Sequence, residues 1–131
     1  MTSLVSSENY VKAYVGCFGL YGLQMLLQPK TMVTNHFEAE ASPLLEFWIR
    51  GQSVSLLGMC YAINQLPVEK AVPIAAATSL AVGVLYPWNA KFGYLTKNMP
   101  ERKYPMHYVP EGLMLALSLA GAYFVFTSRK K

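Results

Sequence analysis

Two charged residues stand four apart inside an apolar run, Glu46 and Arg50 in the stretch SPLLEFWIRGQSVSLLGMCYAINQL from Ser42 to Leu66. On a helix that spacing puts both on one face with the acid nearer the N-terminus, the favourable direction for an ion pair. Charge inside an apolar helix is costly and needs a partner, so the pair serves either a structural polar contact or a substrate or proton site. At ~1.5 Å per residue Arg50 lies about 9 Å below the start of its helix, shallow enough to snorkel to the interface. Gln24 reaches a similar depth from the opposite direction in the preceding apolar run, and Glu111 opens the last one. The expectation is a structural polar cluster of Gln24, Glu46, Arg50 and Glu111 that fixes helix register and faces protein or a lipid headgroup.

The other chemistry-bearing residues are sparse. Cys17 and Cys60 fall on neighbouring apolar runs at similar depth; thiols in such surroundings are usually inert small hydrophobes. Two cysteines neither build a disulfide framework nor complete a four-ligand zinc set, and no metal site is expected. His36 and His107 both fall in connections on one side, outside any HxxxH-type spacing. They, with Gln24, are the residues that would ligate the magnesium of a chlorophyll if the protein bound pigment. No GxSxG, P-loop, dinucleotide fingerprint or HExxH is present, so no enzymatic activity is expected.

The elements that carry these residues are apolar. The chain has 131 residues, 53% hydrophobic and only 14% charged, a balance richer in apolar residues than that of an ordinary soluble domain. Its net charge of +4 is scattered over segment ends instead of forming one stripe, which argues against nucleic acid. Four runs are long enough to be spans, about 11–28, 44–66, 71–88 and 111–127, predicting an all-α integral membrane protein in which one domain, 1–131, is an antiparallel four-helix bundle. Ser42 followed by Pro43 is a helix start, and the polar PKTMVTNHFEAEA after the first run suits a short amphipathic piece at the interface. Small residues recur at Gly16, Gly19 and Gly22, at Ala75, Ser79 and Gly83, and at Gly112, Ala116 and Ala120. They are read as helix-packing ridges. Four spans put both termini on one side, the tail side, and the two longer connections on the other, the loop side. Lys12, Lys70, Arg129, Lys130 and Lys131 then balance Lys30, Lys91, Lys97, Arg102 and Lys103, leaving no positive-inside bias. The basic tail Arg129, Lys130, Lys131 suits anionic lipid.

The runs GLYGLQMLLQP at 19–29 and FWIRGQSVSLLG at 47–58 resemble the small four-helix membrane proteins of the DoxX-like/DUF4345-like group, in which a Gly-rich first helix ends at Pro and the second opens with Phe, Arg and Gly. The resemblance covers the first half of the chain; it implies a four-helix bundle and no particular activity. With aromatic and basic loops and small-residue ridges as contact surfaces, the expected function is that of a non-catalytic accessory subunit of a multi-subunit energy-transducing complex, in the mitochondrial inner membrane or the thylakoid. Its partners are then membrane lipids and neighbouring subunits, with bound phospholipid and, in a photosynthetic host, chlorophyll or carotenoid. The alternative is a free-standing four-helix protein that carries a small hydrophobic ligand, with Arg50 as polar anchor.

Overall fold

A computed structural model describes residues 6–104 and 106–129. Those residues form six helices: α1 Ser7–Leu27, α2 Pro29–His36, α3 Pro43–Gln65, α4 Val68–Leu85, α5 Pro87–Phe92 and α6 Tyr108–Arg129. Among the described residues the fold is all-α, with one isolated antiparallel bridge between Phe37 and Arg102.

Local chemistry sets the helix ends. The Ser6 hydroxyl accepts the Asn9 N–H and starts α1, and the Ser42 hydroxyl accepts the Leu45 N–H with Pro43 at the first helical position of α3. Pro29 divides α1 from α2, the expected short polar helix. α4 begins at Val68, three residues before the predicted run, so Pro73 lies inside the helix and not in its first turn. Tyr86 breaks α4 from α5, and Gly93 closes α5 in the left-handed conformation, φ 66°.

The arrangement is two helix pairs, α1 with α3 and α4 with α6, joined across α1 and α4. α1 is central because a four-residue row, Tyr10, Tyr14, Phe18 and Gly22, is buried along it. α3 buries only Ser53, Cys60 and Ile63. So narrow a stripe serves one neighbour: α3 packs along α1, touches α4 slightly, and among the described residues does not meet α6. The expected bundle is therefore open on the α3 side.

Close approach occurs where glycine permits it, and this redraws the expected ridges. A Cβ on Gly22 would sit 2.8 Å from a Leu57 methyl, but Gly16 and Gly19 have nothing within 4 Å. A three-residue step turns about 300° per repeat, so the row walks off the contact face. Ala75, Ser79 and Gly83 are all buried, with the Trp88 ring against Gly83. On α6 the inward residues are Met114, Leu117, Gly121 and Phe124. Gly112 and Ala116 are exposed and Ala120 is half-buried, because the bulky side chains claim the inner face. The tight contact falls at Gly121, where a Cβ would lie 2.5 Å from the Ala76 Cβ and from the Tyr10 hydroxyl.

Two segments are long and apolar enough to cross a membrane, Val68–Phe92 and Tyr108–Thr127. α1 and α3 are not among them, since Glu8, Lys12 and Gln24 in the first, and Glu46, Arg50, Gln52 and Asn64 in the second, dilute their apolar character.

Candidate functional site

The loop-side end of the molecule is a polar cap assembled around Glu111. This residue lies in the first turn of α6 and is only 8% exposed. Its carboxylate accepts Lys91 Nζ at 3.1 Å on one oxygen, and on the other the Tyr104 hydroxyl at 2.8 Å and His107 Nδ1. A buried carboxylate is costly when alone, and charge-assisted bonds to several donors offset that cost. The Glu111 backbone carbonyl takes a further bond, from Trp88 Nε1 at 3.1 Å. Trp88 is turned inward between Gly83 and α6.

The remaining groups wrap this centre. Lys91 Nζ stands 5.6–5.8 Å from the ring centroids of Phe92, Tyr104 and Tyr108, within cation–π range. His107 is 2% exposed and meets His36, Phe37 and Tyr104 edge-on. His36 donates from Nδ1 to the Met32 carbonyl at 2.9 Å, and burial pushes its pKa below the usual histidine range. The segment after α2 is stitched to the long connector by two backbone bonds, Glu38 N–H to the Glu101 carbonyl at 2.6 Å and Lys103 N–H to the His36 carbonyl at 2.8 Å. The connector is thus a structured clasp that ties α2, α5 and α6 together.

The expected four-residue polar cluster is divided in the structure. Glu111 belongs to the cap, on a helix that α3 does not reach. Glu46 and Arg50 face a shallow surface hollow of about 280 Å³ with Pro43 and Phe47; no ion pair joins them, and the pairs among the described residues are Lys91–Glu111 and His107–Glu111. Arg50 instead donates from Nε to the Leu26 carbonyl at 3.3 Å. That carbonyl is one of the last four of α1, which lack a partner within the helix, and a cation is favourable at that end of the helix dipole. Arg50 therefore caps α1 and ties α3 to it. Gln24 is half-buried in the last turn of α1, its carbonyl accepting the Gln28 N–H at 2.7 Å.

His36 and His107, expected in loop-side connections and as candidate pigment ligands, are both buried, with ring centroids 6.2 Å apart. The His107–Glu111 pair, at i and i+4, was readable from spacing alone. Lys91 and Trp88, on α5 past the break at Tyr86, and Tyr104, on the long connector, carried no such signal, because no local spacing relates them to Glu111. No group of three His, Cys, Asp or Glu side chains able to hold a metal occurs among the described residues. Cys17 and Cys60 are free thiols. Lys130 and Lys131, and the side chain of Arg129, lie outside the described residues.

A carboxylate that orients a histidine is the arrangement used by general bases. Here the ring contacts of His107 are His36, Phe37 and Tyr104, and its carboxylate partner is shared with Lys91 and Tyr104. Such a set is suited to holding one geometry. No protein-family model, no characterised protein and no solved structure matches the chain.

Proposed function

We propose that the chain is a four-span integral membrane protein serving as a non-catalytic accessory subunit of a larger membrane complex, with α1 and α3 crossing the bilayer beside α4 and α6. The observation that carries this reading is the placement of bulk. The inner face of α4 is Ala71, Ala75, Ser79 and Gly83, while Leu20, Leu27, Phe47, Trp48, Val54, Tyr61, Leu119 and Phe126 are each more than 60% exposed. Large apolar side chains outside and small ones at the helix contacts suit lipid as solvent. At ~1.5 Å per residue, the 21 residues of α1 and 23 of α3 span about 30 and 35 Å, the thickness of a hydrocarbon core.

Two features support a subunit over a carrier. The small residues Gly112 and Ala116 face outward on α6, a surface on which a neighbouring helix can approach closely. The interior between helices is filled by Tyr10, Tyr14, Phe18, Ile63, Met114, Leu117 and Phe124, and the hollow beside Arg50 is open and shallow. The test is the size of the native particle after mild detergent extraction, looked for first in the energy-transducing membranes of mitochondria and thylakoids. Co-migration with a large complex is the expected result. A small particle whose stability responds to added hydrophobic ligand would favour the carrier.

A further inference from the structure

We propose that the hollow between α5 and the connector is a phosphate-binding site whose principal ligand is Arg102, assisted by Lys91. The hollow holds about 190 Å³ and is lined by Lys91, Thr96, Asn98, Met99 and Arg102 among others, with no Asp or Glu on its walls. A water's share of volume is about 30 Å³, so there is room for a phosphate group and a few waters. Two cations line this small space and no carboxylate does; Lys91 is ion-paired with Glu111, so the attraction for an anion falls mainly to Arg102.

Arg102 supplies the second, independent observation. Its Nε is buried and has no hydrogen-bond partner. A buried charged donor left unpaired is costly, and a small turn of the guanidinium towards an oxyanion in the hollow would satisfy it. The residue is held in place from its backbone: Phe37 pairs with it across the isolated bridge, and its two neighbours are bonded to Glu38 and His36. Lys91 spends one of its three donors on Glu111, leaving two for a ligand. Its charge is already partly matched there, which is why Arg102 leads.

The rest of the wall is preorganised. Asn89 Oδ1 accepts the N–H groups of Leu95 and Thr96, both at 2.9 Å, and its Nδ2 donates to the Leu85 carbonyl at 3.2 Å and to Thr96 Oγ1 at 2.9 Å. Gly93 and Asn98 have positive φ, 66° and 62°, which glycine adopts without a Cβ clash and asparagine tolerates better than most residues. A site fixed before its ligand arrives loses less freedom on binding. Phe92, Tyr94 and Leu95 are exposed beside it, as aromatic and apolar residues are at headgroup level. Under the membrane reading proposed above, the phosphate comes from a lipid headgroup; a soluble phosphomonoester offers the same chemistry.

The full chain in mild detergent is titrated with short-chain phosphatidic acid, with the matching diacylglycerol as a phosphate-free control, and with glycerol 3-phosphate, binding being read by native mass spectrometry. Phosphatidic acid binds and diacylglycerol does not. Arg102→Gln weakens binding roughly tenfold, the loss of a bidentate charge-assisted contact, while Lys97→Gln, on the same loop but off the hollow, leaves it unchanged. If Arg102→Gln fails to fold, Arg102→Lys, which keeps the charge and loses the fork, still weakens binding several-fold. Glycerol 3-phosphate binding as tightly as the lipid assigns the site to a soluble ligand; much weaker binding assigns it to the headgroup. Absence of binding by both phosphates, or equal binding by wild type and the Arg102 variants, overturns the site. Release of the chain from membranes by alkaline carbonate would count against the membrane reading alone, since the glycerol 3-phosphate titration does not depend on it.

Discussion

Gly121→Ala and Gly112→Ala, nine residues apart on α6, make the same chemical change on opposite faces, because nine steps of about 100° leave a half-turn. In a helix interior, alanine is intrinsically favoured over glycine by about 1 kcal/mol, so Gly112→Ala, with nothing within 4 Å of the new methyl, is neutral or stabilising by up to that amount. At Gly121 the methyl would lie 2.5 Å from the Ala76 Cβ, 2.8 Å from its Cα and 2.5 Å from the Tyr10 hydroxyl. Two of those atoms belong to the body of α4 and cannot swing aside, so α4 and α6 must separate. Overpacking of this kind costs about 1–3 kcal/mol. The Tyr10 hydroxyl also donates to the Leu117 carbonyl at 2.9 Å, a buried bond whose disturbance costs about 1 kcal/mol more. Set against the propensity gain, Gly121→Ala is destabilised by roughly 1–3 kcal/mol. Equilibrium unfolding of the two full-length variants in one detergent measures the difference directly. Gly121→Ala as stable as wild type with Gly112→Ala destabilised would mean that α6 presents its other face, and the packing described above would be wrong.

Three further outcomes follow from the cap and the helix ends. Glu111→Gln keeps the shape but replaces one acceptor oxygen by a donor facing Lys91 or Tyr104 and His107; the clasp loosens by about 2–4 kcal/mol, seen as faster amide exchange over 101–109 with exchange in α1 unchanged. Arg50→Leu frees the Leu26 carbonyl and lowers stability by about 0.5–1.5 kcal/mol; unchanged stability and assembly with loss of a bound ligand would give Arg50 a binding role instead. His36 has a lowered pKa in the folded state, so the unfolded chain takes up the proton first. Its contribution is present above the usual histidine value of about 6.5 and is lost as the pH falls through that value towards the lowered one. Protection factors of the amides of 30–37, taken relative to the intrinsic exchange rates at each pH, therefore fall on acidification, and His36→Gln flattens the response; wild-type protection factors that do not change with pH would contradict it.

The helices were legible in the sequence, and the cap was not. Ser42–Pro43, Pro29 and the apolar runs mark ends and lengths through local chemistry, and α2 and α3 start where those signals fall. Which face of each helix turns inward depends on residues far apart in the chain, and there the reading was less complete. Four-residue spacing located the buried Ala75, Ser79 and Gly83, while the same spacing at Gly112, Ala116 and Ala120 marks an outward face. Periodicity shows that a ridge exists and does not say what is beside it. Glu46 and Arg50 have the spacing of a helical ion pair, yet Arg50 turns to the unpaired end of α1, a partner 24 residues away that no local rule names. Glu111 was a candidate site residue from its position alone. Its partners Lys91 and Tyr104 arrive through the break at Tyr86 and a long connector whose course is set by Asn89 and by the bridge at Phe37 and Arg102.

The four-span arrangement, on which the subunit role depends, is tested most directly by which side of the membrane each connection faces. With Cys17 and Cys60 replaced by serine, Glu38→Cys, Gln65→Cys and Lys97→Cys are introduced singly at exposed positions and reacted in sealed vesicles with a maleimide that cannot cross the bilayer. Labelling of Glu38→Cys and Lys97→Cys from one side and of Gln65→Cys from the other is the predicted result. Labelling of Glu38→Cys and Gln65→Cys from one side, with Lys97→Cys reached from the other, would leave α3 outside the bilayer and contradict it.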